Sequence, residues 1–408
     1  MNIKNVTVIG ANGTMGTNAS AMFASFGNAT VYMISRDIQK SRNAIDRAVK
    51  SVRAEAIRKN MVPCDYSSME ECIKKSDFVF ESVAENLMIK KEITKKIGEY
   101  VSDNTIIATG TSGLSINEIA SALPQSLRKN YYGVHFFNPP YSMPLLELMP
   151  SNYADIKKTN ELRKYLEEQL LRTVVVCKDS PAFIANRVGF QFLNLALQYA
   201  EKYKDRGGIA YIESILGVFT GRAMTPCATV DFVGLDVHKA IVDNLLKNTS
   251  DYANESFILP CYVEKLIDEG RLGKKTGSGL FKNEITEEGN KIKLVYDIAS
   301  DRYIEYIKQE FDFSKKMNSY LNNGDYELAF KSLLEDYSEE AKICLFFLKD
   351  YVDYSLNTVK QVCDDNTMVD DAMAAGFNWC PPLVLSNLLF GTNYPTKYDF
   401  RSFFKAGK

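Results

Sequence analysis

A glycine turn near the start narrows the fold most. The apolar run Asn5–Ile9 stops at Gly10, and the turn GANGTMG leads into small, helix-compatible residues, Thr14–Ser25. Gly10, Gly13 and Gly16 stand in a G-x-x-G-x-x-G spacing, one residue longer in its first gap than the common G-x-G-x-x-G. Glycines between a strand and a helix let backbone approach a pyrophosphate, and the helix start offers amide hydrogens and the positive end of its dipole. Asn12, Thr14 and Met15 complete this candidate dinucleotide loop. The alternative is a tight strand–helix connection that binds nothing.

Further apolar runs at 29–34, 78–83, 105–108, 132–137 and Thr173–Val176 alternate with helical sequence, including a long basic segment over 38–60. Such alternation predicts a parallel sheet covered on both faces, an α/β architecture. After Asp179 the pattern turns helical over 183–203, 211–218 and 237–247, with no clear strand. Residues 270–281 read as a loop or tail, and 282–336 as a charged linker with some helix. Helical periodicity returns over 340–362. The segment DDAMAAGFNWCPP at 370–382 weakly matches ESILGVFTGRAMTP at 213–226, which allows a duplicated helical domain.

Charge and composition exclude several classes. With 49 Lys+Arg against 51 Asp+Glu, no bulk basic field points to nucleic acid. No apolar run approaches the ~20 residues of a membrane-spanning helix, and no export signal is expected. The cysteines at 64, 72, 177, 227, 261, 344, 363 and 380 form no C-x-x-C and read as reduced thiols of a cytoplasmic protein. With only His135 and His238 present, no His-rich metal site is expected.

Two places carry candidate chemistry. The acid that grips the adenosine ribose of NAD should stand at the end of the second strand. Ser35 stands there, followed by Arg36, which suits the 2'-phosphate of NADP; the alternative is a solvated Arg36, with Asp37 or water at the ribose. In YYGVHFFNPPYSMPLLELMP, His135 ends a buried strand before a proline-stiffened loop holding Asn138. A histidine so placed can take an alcohol proton during hydride transfer, with Glu147 folding back to fix its tautomer and stabilise its cation. A core histidine is the alternative. His238, on a helix, is read as structural.

Taken in order, GANGTMG, ESVAENLMIKKEI, TGTSGLSINEIA, GVHFFNPPYSMPLLE, DSPAFIANRV, TVDFVGLDV and GRLGKKTGSGLF resemble the L-3-hydroxyacyl-CoA dehydrogenase family over most of residues 1–285. The resemblance implies a Rossmann-type doubly wound sheet followed by an all-α domain, duplicated here, since AMAAGFNWCPP is similar to the second helical repeat of long members. It divides the chain into 1–178 (cofactor domain), 179–282 (helical domain), 283–336 (linker) and 337–408 (second repeat). It implies interconversion of L-3-hydroxyacyl-CoA and 3-oxoacyl-CoA in fatty acid metabolism, with NAD, or NADP in view of Ser35 and Arg36. His135 would be the general base oriented by Glu147, Ser112 would touch the substrate hydroxyl and cofactor, and Asn186 would polarise the substrate carbonyl region. Glu85, Lys90 and Lys275 would contact the cofactor, and Asn138 would support the site. The partner expected is an acyl-CoA, with neither nucleic acid nor membrane, in a homodimer or a monomer whose second repeat replaces the partner. No sequence for an appended hydratase domain is found.

The chain departs from the family at the longer glycine loop, at Ser35, at Gly110 in place of a usual asparagine, and at Ala182 in place of a usual glycine. The basic helix carrying Lys40, Arg42, Arg47, Lys50, Arg53 and Arg58 reads either as a CoA-phosphate contact or as a solvated face. A dehydrogenase of a non-CoA hydroxy acid and a catalytically silent nucleotide-binding relative are the two rival readings.

Overall fold

The computed structural model describes residues 1–285 and 289–404. Residues 286–288 of the expected linker and 405–408 of the expected last repeat lie outside the described residues. The chain divides into two compact units, Met1–Phe183 with Gln361–Cys363, and Ile184–Lys360 with the residues from Asp364 on.

The first unit is an eight-stranded sheet in the order β3-β2-β1-β4-β5-β6-β7-β8. Its strands are β1 (Asn5–Ile9), β2 (Thr30–Ser35), β3 (Met61–Asp65), β4 (Phe78–Glu81), β5 (Ile106–Thr109), β6 (Tyr131–Phe136), β7 (Leu145–Pro150) and β8 (Thr173–Val176). Every pairing is parallel except β6 with β7. The central strands are buried on both faces, which is why they read as unbroken apolar runs. Phe23 of the first helix, α1 (Thr14–Ser25), packs against the rings of Phe78, Phe80 and Phe136 on the sheet, and Gly16, Thr17, Ala19, Ser20 and Ala21 of α1 are small enough for close approach.

Strand order reverses between β1 and β4, so the crevice for a ligand opens at their carboxyl ends. Two strands of this sheet were not expected. β3 is a short edge strand containing Pro63, tolerable only because its outer side needs no ladder partner. The expected long helix over 38–60 therefore ends early: α2 spans Ile38–Val52, stops where Arg53 turns left-handed at φ 54°, and a 3-10 turn Glu55–Asn60 follows. β7 was hidden by the prolines that bound it.

The second unit begins with helices Ala185–Lys202, Gly208–Ile215, Pro226–Val233, Leu235–Asn248 and Cys261–Asp268. The described residues of the expected linker, 283–285 and 289–336, carry strands as well as helix. These described residues take part in a three-stranded antiparallel sheet, β9 (Phe281–Ile285), β10 (Lys291–Asp297) and β11 (Arg302–Glu305), and form helices Asp312–Asn323 and Tyr326–Leu334. Phe347 and Tyr351 of helix Glu339–Val362, with Trp379, close around Phe192 at ring separations of 5.3, 6.0 and 5.3 Å.

Glu213 and Asp370, the first residues of the two weakly matching segments, do the same work. Glu213 accepts Cys227 N at 2.7 Å and Asp370 accepts Leu383 N at 3.0 Å, each capping a helix that opens on proline. Arg222 and Trp379, one in each of those segments, form a backbone bridge.

Candidate active site

The glycine loop closes the carboxyl end of β1. Gly10 sits at φ 80°, and a Cβ there would stand 2.4 Å from Ser82 O. A Cβ on Gly16 would stand 2.4 Å from Gly10 O. Those two glycines are dictated by the fold. Gly13 is not: its Cβ would meet nothing nearer than Gly10 O at 3.4 Å, an ordinary contact. Gly13 caps α1 without a side-chain hydrogen bond, no acidic residue lies in the first turn, and Asn12, Gly13 and Thr14 are exposed. Arg47 of α2 donates to Asn12 O at 2.8 Å and brings a cation to the loop. An uncapped helix start with room at the middle glycine and a neighbouring guanidinium fits a dinucleotide's pyrophosphate.

The ribose end differs from expectation. Ser35 is 1% exposed, and its hydroxyl is already engaged, donating to Asp37 O at 2.8 Å and sharing a 2.6 Å hydrogen bond with Ser41. Arg36 is exposed at the same strand end, and Asp37 caps α2 by accepting Gln39 N. The ribose edge thus holds an exposed guanidinium and a buried serine. Of the basic residues over 38–60, Arg58 pairs with Asp46 and Glu55, Arg47 reaches the loop, and Lys40, Arg42, Lys50 and Arg53 are exposed.

At the carboxyl end of β4, a buried charge cluster was missed from sequence. Glu81 accepts Lys90 Nζ at 2.9 Å, Val83 N at 2.6 Å and Thr109 Oγ1 at 2.7 Å. Lys90, expected to reach a cofactor, is 1% exposed; it pairs with Glu81 and lies 3.4 Å from Glu85 Oε2. Glu85 is half exposed and accepts Thr111 Oγ1 at 2.5 Å and Ser112 N at 2.8 Å, which orders the turn after β5. Lys90 is thus held between Glu81 and Glu85 at the end of β4. Asp179 caps the helix Ile116–Ala120 that follows, through Ser115 Oγ, Ile116 N, Asn117 N and Asn117 Nδ2.

β6 and β7 bring the histidine and its carboxylate together. Their register places His135 opposite Glu147, and His135 Nδ1 lies 2.7 Å from Glu147 Oε2. Glu147 is fully buried and His135 is 7% exposed, so water screens the pair little. Engaging Nδ1 fixes the tautomer and leaves Nε2 as the nitrogen for proton transfer. Phe137 and Phe183 flank the ring at 4.9 and 5.7 Å. Ser112 comes three residues after Thr109, which pairs with Gly133, so Ser112 and His135 leave neighbouring strands at the same edge. Asn138 Oδ1 accepts Asn18 Nδ2 at 3.0 Å, tying the loop after His135 to α1. The guanidinium of Arg172 holds the same loop by donating to Pro140 O and Met143 O.

Asn186 and Lys275 belong to the second unit. Asn186 is buried in the first turn of helix Ala185–Lys202. Lys275 forms an ion pair with Asp236. Ala182, where the family usually has glycine, sits left-handed at φ 57°, followed by Phe183 at φ 58°. His238 is fully buried against Phe190 with Nε2 3.0 Å from Asn194 Oδ1; burial lowers its pKa to about 3, consistent with a structural role. Among the described residues no cluster of metal-ligating side chains occurs, and no helix is long and apolar enough to cross a membrane.

Comparison with known proteins matches this geometry. The family described as 3-hydroxyacyl-CoA dehydrogenase, NAD binding domain, matches residues 5–180, and the corresponding C-terminal domain matches residues 183–283. Human mitochondrial hydroxyacyl-coenzyme A dehydrogenase is 30% identical over 296 residues, 69% of this chain and 91% of that protein. The chain belongs to the 3-hydroxyacyl-CoA dehydrogenase family. A probable 3-hydroxyacyl-CoA dehydrogenase of Bacillus subtilis is 26% identical over 402 residues, 92% of this chain but 50% of that protein. The chain spans about half the length of that relative and of two Rickettsia relatives. The Escherichia coli 3-hydroxybutyryl-CoA dehydrogenase structure shares the fold, with a TM-score of 0.70 at 19% identity, covering 95% of this chain and 92% of that one. Family membership supports a nicotinamide cofactor at the glycine loop.

Proposed function

We propose that this protein interconverts L-3-hydroxyacyl-CoA and 3-oxoacyl-CoA in fatty acid metabolism. The observation that carries the reading is the buried His135–Glu147 pair near the carboxyl end of β6, in a sheet whose crevice is bordered by a candidate dinucleotide loop. In oxidation, His135 Nε2 takes the proton of the 3-hydroxyl as the hydrogen on C3 departs as hydride, and Glu147 stabilises the imidazolium that forms. In reduction the charged histidine returns that proton to the oxygen. Ser112, with its backbone fixed by Glu85, offers a hydroxyl to the substrate oxygen, and Asn186 polarises the carbonyl region. A nicotinamide ring, when bound, supplies the hydride acceptor or donor. Asn12, Gly13, Thr14 and Met15 hold its pyrophosphate, Glu85 and Asn138 line its path, and Lys90 acts through Glu85.

The ribose edge accepts a 2'-phosphate. Ser35 brings no negative charge there, and Arg36 brings an exposed positive charge, while Asp37 is engaged as the cap of α2. NADPH is therefore used at least as well as NADH. Steady-state reduction of acetoacetyl-CoA with each nucleotide tests both points: turnover supports the reaction class, and a strong preference for NADH would refute the ribose reading. Turnover only on free hydroxy acids would favour the rival dehydrogenase, and nucleotide binding without turnover the silent relative.

The residues from 337 on act as a second helical repeat in place of a partner subunit. The shared capping by Glu213 and Asp370 and the Arg222–Trp379 bridge support this reading. A monomer in sedimentation accords with it, and a tight dimer buried through residues 180–280 would overturn it.

A further inference from the structure

Cys64 is the last residue but one of β3 at the edge of the large sheet, and Cys72 lies in the short helix Met69–Lys74 that follows. Their spacing matches no redox motif, yet the turn between them folds the two side chains together. Cys72 donates its thiol hydrogen to Cys64 Sγ across 3.6 Å. Rotation about the two Cα–Cβ bonds, with a small backbone shift, brings sulfurs at this separation to bonding distance of about 2.05 Å. The two thiols differ in character. The hydrogen bond from Cys72 holds the Cys64 thiol below its usual range against the opposing effects of burial and of the Asp65 and Glu71 carboxylates, while the same bond and burial push Cys72 up. One sulfur is thus disposed to attack and the other to resolve.

The pair sits on a relay to the cofactor crevice. Cys64 O accepts Ser41 Oγ at 2.8 Å, and Ser41 shares its hydrogen bond with Ser35, the residue at the end of β2 beside Arg36. The register pairs Cys64 with Ile34 and Asp65 with Ser35. A shift of Cys64 therefore moves the strand that borders the ribose edge.

We infer that Cys64 and Cys72 form a modification site, a thiol pair that a hydroperoxide converts to a disulfide and that thereby weakens nucleotide binding at the ribose edge. The Cys64 thiolate attacks the peroxide oxygen, the O–O bond breaks, and a sulfenic acid forms with release of an alcohol or water. The Cys72 sulfur then attacks the Cys64 sulfur, the S–O bond breaks and water leaves. Both thiols are oxidised by two electrons in total, and the peroxide is reduced by two. The effect on nucleotide rests on the cofactor reading above; the disulfide does not.

The test treats the full chain with hydrogen peroxide, quenches it, and maps cysteines by mass spectrometry before and after dithiothreitol. The expected result is a Cys64–Cys72 cross-link, lighter by two hydrogens and reversed by dithiothreitol, while exposed Cys261 forms no partner bond. Cys72→Ser should leave a Cys64 sulfenic acid that dimedone traps, and Cys64→Ser should leave Cys72 unreacted. Titration of NADPH and NADH fluorescence should show several-fold weaker binding after oxidation, restored by reduction. Absence of the cross-link, or a cross-link that leaves both affinities unchanged, overturns the inference. Failure of the reduced protein to bind either nucleotide would instead refute the cofactor reading, and the mapping would still decide the disulfide.

Discussion

Replacing Glu147 with glutamine removes one charge and almost no volume. The 2.7 Å contact to His135 Nδ1 places the two charge centres about 4 Å apart, where an effective dielectric of about 20 gives an attraction of about 4 kcal/mol. Glutamine still accepts the Nδ1 hydrogen, and a neutral hydrogen bond of that kind is worth about 1 kcal/mol. The variant therefore loses about 3 kcal/mol of stabilisation, felt only while His135 carries the extra proton. That corresponds to roughly a hundredfold fall in kcat for oxidation of 3-hydroxybutyryl-CoA. The glycine loop lies on other strands, so nucleotide affinity should stay within a factor of about two of wild type, far below the 1.4 kcal/mol that a tenfold change needs. Steady-state kinetics with a parallel fluorescence titration of nucleotide separates the two quantities. A kcat within a few-fold of wild type would refute the argument, because the buried carboxylate would then not be stabilising an imidazolium.

Other expectations follow from single residues. Gly13→Ala should fold with unchanged Tm and bind nucleotide at least tenfold more weakly, whereas Gly16→Ala should lower Tm because its Cβ collides with Gly10 O; equal behaviour of the two in calorimetry and titration would contradict the assignment. Ala182→Gly should raise stability by about 1 kcal/mol by relieving the left-handed strain at φ 57°, read as a shift in the urea midpoint. Burial raises the Asp370 carboxyl to about 7, above its unfolded value of about 3.9, so the folded state holds the proton more tightly. Its contribution to stability is therefore full at low pH and is lost as pH rises through that window. Asp370→Asn should gain in Tm relative to wild type as pH rises from about 4 to about 7, and a constant difference would count against the buried ionisation.

The parts of the fold legible in the sequence are those set by local sterics and by burial on both faces of a sheet. The Gly10 turn and the apolar runs of β1, β4 and β6 need no knowledge of distant residues. The His135–Glu147 pair was legible because a single antiparallel return joins the two strands. What escaped depends on partners far along the chain. Ser35 was read as facing a ribose because nothing in YMISRD shows that Ser41 and Asp37 O take up its hydroxyl. Lys90 was read as reaching the cofactor because its partner Glu81 lies on another element. β10 was hidden because residues 291–297 pair only with the short strands β9 and β11, and their charged outer positions resemble a solvated segment. The Cys64–Cys72 approach crosses from a strand to a helix and leaves no motif.

The central claim is hydride transfer to C3 of a 3-oxoacyl-CoA with proton transfer by His135. It is tested most directly by reducing acetoacetyl-CoA with a nicotinamide cofactor deuterated at C4 and analysing the product by mass spectrometry and NMR. The account predicts deuterium at C3 of 3-hydroxybutyryl-CoA with the wild-type protein. It also predicts a loss of rate by several orders of magnitude in His135→Gln, with nucleotide affinity nearly unchanged. Absence of deuterated product, or near-normal turnover in the variant, would contradict it.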